Sequence, residues 1–106
     1  MAAAKKERRR HQRVLVPEGR IIRAQGTRPR LEGTVSIIGP EGMFIRTRDS
    51  QPCGTVLKLK LKDSTFSFRV MCTVRHVEEG GLGVEITGIT PEDEQKLKAL
   101  PFLLKR

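Results

Sequence analysis

The chain has 106 residues, a formal net charge of +9, 37% hydrophobic residues and two cysteines. This length fits one small domain that buries a modest core without disulfides or a metal ion. The apolar runs are far shorter than the roughly 20 residues of a membrane span, and no apolar segment follows the charged N-terminus as in a secretory signal.

The chain begins with a basic segment. Arg8, Arg9, Arg10 and Arg13 place four guanidinium groups within six residues, directly before the apolar stretch Val14–Val16. Residues 1–30 hold ten Lys and Arg against two acidic residues, whereas residues 31–106 hold eleven against ten. Charge concentrated at one end favours a local anion site over a nucleic-acid coat. Residues 1–7 also suit a solvated arm, so we expect residues 1–12 to form a flexible basic arm.

The next segments indicate strands and turns. Residues 13–24 predict a first strand region with a bend at Pro17–Gly19, and residues 25–30 predict a loop because of their Gly and Pro content. Two strands over 31–38 and 43–47, joined by a turn at Gly39–Gly42, predict a hairpin.

The following strands show a clear period of two. Leu57, Leu59 and Leu61 alternate with Lys58, Lys60 and Lys62, which predicts one buried and one solvated face. The lysine face fits a solvated outer wall better than a binding stripe. Residues 65–77 alternate in the same way, with Phe66, Phe68, Val70, Cys72 and Val74 on one face.

A last strand over 82–87 precedes a helix. Thr90 suits the N-cap, Pro91 suits the first helical position, and three acidic residues favour the helix N-terminus. Leu97, Leu100 and Leu104 share one face of this helix, and Pro101 predicts its end. About six antiparallel strands in fewer than 80 residues predict a mainly β fold, a small barrel with a C-terminal α-helix.

Catalytic and metal chemistry is not expected. Cys53 and Cys72 lack metal-ligand spacing and fit two reduced thiols of a cytoplasmic protein. His11 and His76 have no cluster of ligands around them, and no phosphate-binding loop or nucleophile–base pattern occurs. We expect no enzyme activity, no cofactor and no metal.

These features together resemble the PilZ domain family. The resemblance rests on ERRRHQRV, GTVSIIGPEGMFIRT, GGLGVEIT and TPEDEQKL, and it covers roughly residues 7–100. It implies a six-stranded antiparallel barrel over residues 13–106, a basic arm carrying an RxxxR motif, and binding of the bacterial messenger cyclic di-GMP. Arg9 and Arg13 match RxxxR, with Arg8 beside them.

The second family motif, [D/N]xSxxG, is degenerate in this chain. The alignment places Ile37 at the Asp/Asn position, Gly39 at the Ser position and Gly42 at the final Gly. An isoleucine cannot hydrogen-bond a guanine edge, and glycine has no hydroxyl. A shifted alignment using Thr34, Ser36 and Gly39 restores the serine but needs an insertion before Gly42. Gly42 also suits a purely structural role in the turn.

Two functions from different classes follow. The first is a cyclic di-GMP receptor that regulates a partner protein, with binding weakened at Ile37 and Gly39. The second is a ligand-independent PilZ-like adaptor that binds protein alone. A basic nucleic-acid-binding barrel is disfavoured, because such barrels stack bases on surface aromatics and this chain has no Trp and no Tyr. A monomer and a weak homodimer both fit, without membrane insertion.

Overall fold

A computed structural model describes residues 13–100 of the chain. These residues form seven strands and one helix: β1 Val14–Leu15, β2 Arg23–Thr27, β3 Arg30–Ile38, β4 Gly42–Thr47, β5 Val56–Lys62, β6 Ser67–Glu78, β7 Gly81–Gly88 and α1 Pro91–Lys98. The basic arm over 1–12, with Arg8 and Arg9, lies outside the described residues, as do Pro101 and Leu104.

The sheet closes into a six-stranded antiparallel barrel. Its strands follow the order β3–β2–β5–β6–β7–β4, and pairing between β3 and β4 joins the two ends. The short strand β1 is an addition to the barrel: it pairs antiparallel with the end of β3, at Ile37 and Ile38. Closure gives each of the six strands a paired neighbour on both sides, as the sequence predicts for this fold class.

Alternating residues of the strands fill the interior. The buried apolar residues are Ile22, Ala24, Leu31, Val35, Ile38, Met43, Ile45, Leu57, Leu59, Leu61, Phe68, Val70, Cys72, Val74, Leu82, Val84, Leu97 and Leu100. The leucines of β5 point inward and its lysines outward, which confirms that prediction. Phe66 is only partly buried, and its ring stacks on Phe68 with centroids 5.4 Å apart.

The first half of the chain differs from the prediction in two places. The region over 13–24 is two strands rather than one, because a turn over Pro17–Arg20 separates β1 from β2. The loop predicted over 25–30 is wrong for residues 25–27, which belong to β2, and for Arg30, which begins β3. A tight turn at Arg28–Pro29 replaces the long loop, so the glycine at position 26 lies inside a strand.

Helix α1 covers the start of β6. Thr90 is the N-cap, and its hydroxyl accepts a hydrogen bond from the Asp93 backbone N–H at 3.1 Å, as predicted. The Asp93 carboxylate accepts from the Arg69 backbone N–H, and Lys96 Nζ donates to the Ser67 carbonyl. Since β7 pairs with β6 only from Met71 onward, these side chains satisfy part of the strand edge that β7 leaves uncovered.

Candidate ligand-binding site

The structure brings Arg13 and Gly42 together at one end of the barrel. Arg13 directly precedes β1, and β1 pairs with the last residues of β3. Gly42 begins β4 on the other side of β3, with Ile38 paired to Met43. The Arg13 guanidinium therefore lies over Gly42, with Nη2 3.5 Å from the position that a Cβ on residue 42 would occupy. Arg13 itself is exposed and can reach a ligand in solvent.

Gly42 has no room for a side chain. A Cβ at this position would lie 2.6 Å from the Val84 carbonyl oxygen of the neighbouring strand β7. A contact this short between a carbon and a backbone oxygen would force β4 and β7 apart. The glycine therefore has a structural role in strand packing, beneath the Arg13 guanidinium.

A β-bulge sets the direction of Ile37. On β3, Val35 pairs with Ile45 and Ile37 pairs with Phe44, so Ser36 is the extra residue. Val35 and Ile38 are buried, whereas Ile37 is only partly buried. The bulge therefore shifts the alternation by one residue and turns position 37 toward the outer face of the barrel. Its cross-strand neighbours there are Leu15, which is 70% exposed, and Phe44.

Gly39 lies in the turn that links β3 to β4. It is buried, and its N–H donates to the Gly42 carbonyl at 2.9 Å. The Glu41 carbonyl accepts from the Ile86 N–H at 2.8 Å, which attaches this turn to β7. Positions 37, 39 and 42 of the predicted second motif thus sit on one short, anchored segment beside Arg13.

The alternative motif positions are spread more widely. Ser36 is the bulge residue, and its carbonyl accepts from the Val16 N–H at 2.9 Å. Thr34 lies further along β3, paired with Arg23 on one side and Arg46 on the other. The first alignment therefore gives the more compact grouping around Arg13.

An ion pair that the sequence does not predict lies next to this site. Gly42 pairs with Glu85 across β4 and β7. The Glu85 carboxylate accepts from Arg75 Nε at 2.7 Å. Because the guanidinium compensates the carboxylate, the repulsion that Glu85 would exert on an anionic ligand is reduced. Strand alternation places both residues outward, but their pairing depends on the β6–β7 register, which the sequence does not indicate.

The two thiols have different environments. Burial raises the pKa of Cys72 to about 12, so this thiol stays protonated and unreactive. Cys53 is free and exposed in the turn before β5. Among residues 13–100, no group of three His, Cys, Asp or Glu side chains is placed to hold a metal ion. The helix present in that range is too short and too polar to cross a membrane.

Comparison with known proteins places the chain in a family. The PilZ domain model matches residues 7–103, and the chain belongs to the PilZ domain family. A comparison with curated protein sequences finds no match.

Solved structures share the fold. The chain is similar to YcgR from Escherichia coli, solved in complex with cyclic di-GMP, with a TM-score of 0.74 and 18% identity over 93% of this chain. It spans 46% of that YcgR chain. It also resembles the PilZ domain of YcgR with cyclic di-GMP, at a TM-score of 0.65 and 13% identity, covering 86% of each chain. An uncharacterized Legionella protein gives a TM-score of 0.58 and 19% identity, over 81% of this chain and 85% of that one.

Proposed function

We propose that this protein is a cytoplasmic cyclic di-GMP receptor of low affinity that regulates a partner protein. The observation that carries the proposal is the position of the Arg13 guanidinium over Gly42, with Nη2 3.5 Å from where a Cβ would lie. Membership of the PilZ family and the similarity of the fold to two structures of YcgR with cyclic di-GMP support it.

The chemistry of arginine suits this ligand. Cyclic di-GMP carries two phosphates and two guanine rings. A guanidinium can bond two phosphate oxygens at once, pair with guanine O6 and N7, and stack on the purine face. A lysine in the same place could supply only a point charge. We assign this role to Arg13 together with Arg8 and Arg9 of the arm, and we assign Gly42 to the strand surface that lies beneath the Arg13 guanidinium.

The low affinity follows from positions 37 and 39. Ile37 presents an apolar side chain where a hydrogen-bonding Asp or Asn is expected, and Gly39 lacks a hydroxyl. Each lost ligand hydrogen bond costs about 1–3 kcal/mol. Two losses correspond to binding weakened by roughly 10²- to 10⁴-fold.

Isothermal titration calorimetry with cyclic di-GMP tests the role of Arg13. We expect Arg13→Ala to weaken binding about 10- to 150-fold, because charge-assisted hydrogen bonds contribute about 1.5–3 kcal/mol. Arg46→Ala is the matched control, since it removes an exposed cation further along β4 and should leave binding unchanged. Equal affinities for the wild type and Arg13→Ala would remove Arg13 from the site.

Restoring the second motif tests the cause of the low affinity. The double variant Ile37→Asp, Gly39→Ser should bind cyclic di-GMP about 10²- to 10⁴-fold more tightly than the wild type. Its unfolding temperature, measured in parallel, separates a failure to bind from a failure to fold. A folded double variant with unchanged affinity would show that positions 37 and 39 do not contact the ligand.

A second candidate function is a ligand-independent adaptor. It is favoured by one observation: Ile37 lies between Leu15 and Phe44, an apolar row on the outer face where the family motif is polar. A row of this kind, with Leu15 exposed and Ile37 and Phe44 partly buried, suits contact with another protein. This candidate predicts no calorimetric signal and no thermal stabilisation of the wild type by cyclic di-GMP, even at about 100-fold molar excess.

A further inference from the structure

A second charged surface lies on the outer wall formed by β2, β5 and β6. Five exposed cations share it, and we name them the basic wall: Arg23, Lys58, Lys60, Lys62 and Arg69. Their neighbours along each strand, such as Ala24, Leu59, Leu61, Phe68 and Val70, point into the core. The alternation of each strand therefore fixes all five charges on one outer face.

The register places like charges directly opposite each other. Arg23 pairs with Lys62 across β2 and β5, and Lys60 pairs with Arg69 across β5 and β6. Like charges in directly opposite positions destabilise a sheet. The wall is thus an arrangement that the fold itself does not favour.

No ion pair within residues 13–100 involves any of the five cations. By contrast, Arg75 is paired with Glu85 and Lys98 with Glu94. The carboxylate nearest in sequence to the wall, Asp63, is bonded to Arg20. Within the described part of the chain these cations therefore form no ion pair and are available to an anionic partner.

A groove runs along this wall. It has a volume of about 880 Å³ and is lined by Lys58, Lys60 and Arg69 together with Met71 of β6. Met71 is 38% exposed, so the groove contains an apolar contact beside its charges. On the helix side its lining includes the carboxylate residues Glu92 and Asp93 of α1.

The basic wall is separate from the Arg13–Gly42 site. The closed strand order places β5 across the barrel from β4, with two strands between them in either direction. A partner on the wall and a ligand at Gly42 would therefore occupy opposite sides of the barrel. Binding at one would not exclude binding at the other by overlap.

We propose that the basic wall docks an extended, acidic segment of a partner protein. Carboxylates of such a segment would bond Lys58, Lys60 and Arg69, and an apolar side chain would cover Met71. Glu92 and Asp93 at the border would repel a phosphate backbone or an anionic bilayer, but a peptide can place an N–H or a basic residue there. The groove lining also includes no aromatic side chain on which bases could stack.

The probe for this proposal is a fluorescent peptide of about ten residues in which Glu alternates with Leu or Ser. At about 3.3 Å per residue it is about as long as the molecule, whose extents are 39 × 31 × 28 Å. Fluorescence anisotropy should detect binding at about 0.15 M salt, where weak surface attraction is screened. We expect Lys60→Glu to weaken binding at least about tenfold.

Two controls show whether a loss of peptide binding is specific to the basic wall. Lys60→Glu places a carboxylate opposite Arg69, so it should not lower the unfolding temperature, and lost binding cannot then be ascribed to unfolding. Arg46→Glu makes the same charge change on β4, outside the groove and separated from β5 by two strands, and should leave peptide binding unchanged.

Three outcomes would overturn the proposal. The first is that the wild type does not bind the peptide. The second is that Lys60→Glu and Arg46→Glu weaken peptide binding equally. The third is that a single-stranded DNA of similar length, or phosphatidylglycerol vesicles, displaces the peptide from the wall. All measurements are made without cyclic di-GMP, so a failure of the proposed messenger binding would not affect them.

Discussion

Arg20 and Asp63 form a partly buried ion pair that attaches the β1–β2 connection to the turn between β5 and β6. Arg20 Nε and Nη2 donate to Asp63 Oδ2 at 3.2 and 2.7 Å, and the Thr65 N–H and hydroxyl donate to Asp63 Oδ1 at 2.6 and 2.9 Å. Burial by itself raises the pKa of Asp63, but the hydrogen bonds from Thr65 and Arg20 outweigh it, and the pKa lies below its ordinary value. Four donated bonds thus stabilise the ionised carboxylate in the folded state.

This ion pair makes the free energy of unfolding depend on pH in the acid range. Because the pKa is lower in the folded state, the stabilisation is full above the ordinary value of 3.8 and is lost as pH falls through the folded pKa. We expect Asp63→Asn to lower the free energy of unfolding by about 1–3 kcal/mol at neutral pH and to flatten its decline below about pH 4. Urea unfolding from pH 2 to 7 measures both, with the exposed Glu79→Gln as control. If the free energy of unfolding fell with pH in parallel for Asp63→Asn and the wild type, this assignment would be contradicted.

At the candidate ligand-binding site, the sequence predicts which residues lie together better than it predicts the directions of their side chains. Arg13 and Ile37 lie 24 residues apart in the sequence, and the structure brings Arg13 and residues 37–42 to one end of the barrel. The direction of Ile37 depends on the bulge at Ser36, which shifts the alternation of β3 by one residue. No residue type in this segment indicates that bulge. Whether Arg13 and Gly42 bind a ligand stays a prediction.

At the scale of elements, periodicity predicts the strands whose faces differ most. The Leu–Lys alternation of β5 and the apolar alternation of β6 are confirmed. The segment over 25–27 was predicted as loop because Gly and Pro usually mark loops. It is instead a strand, since β3 and β5 pair with it on both sides. Pairing with distant strands therefore outweighs local composition there.

Helix α1 belongs to the core rather than to a tail. Leu97 is fully buried although the rest of the helix is mostly polar and exposed. We expect Leu97→Ala to lower the free energy of unfolding by about 2–5 kcal/mol, through lost burial and the cavity left behind. Gln95→Ala on the exposed side should change it by less than about 0.5 kcal/mol. Denaturant unfolding of the two variants gives the comparison, and similar values for both would show that α1 is not packed.

At the scale of the molecule, closure of the barrel places the candidate ligand site and the basic wall on different strands. β1, β3 and β4 present Arg13, Ile37 and Gly42, whereas β2, β5 and β6 present the basic wall. The sequence predicts a barrel from its strand count, but the neighbours of each strand follow from the β3–β4 pairing that closes it. The number of charged residues can thus be read from the sequence. The side of the barrel on which each charge lies cannot, because it depends on the strand pairing.

The most direct test of the messenger proposal is an NMR titration of the ¹⁵N-labelled full chain with cyclic di-GMP. The proposal predicts saturable amide shifts clustered at Arg13, Leu15 and residues 37–42, with residues 58–62 of the basic wall unaffected. The absence of shifts at about 100-fold excess of ligand, or shifts confined to the basic wall, would contradict it.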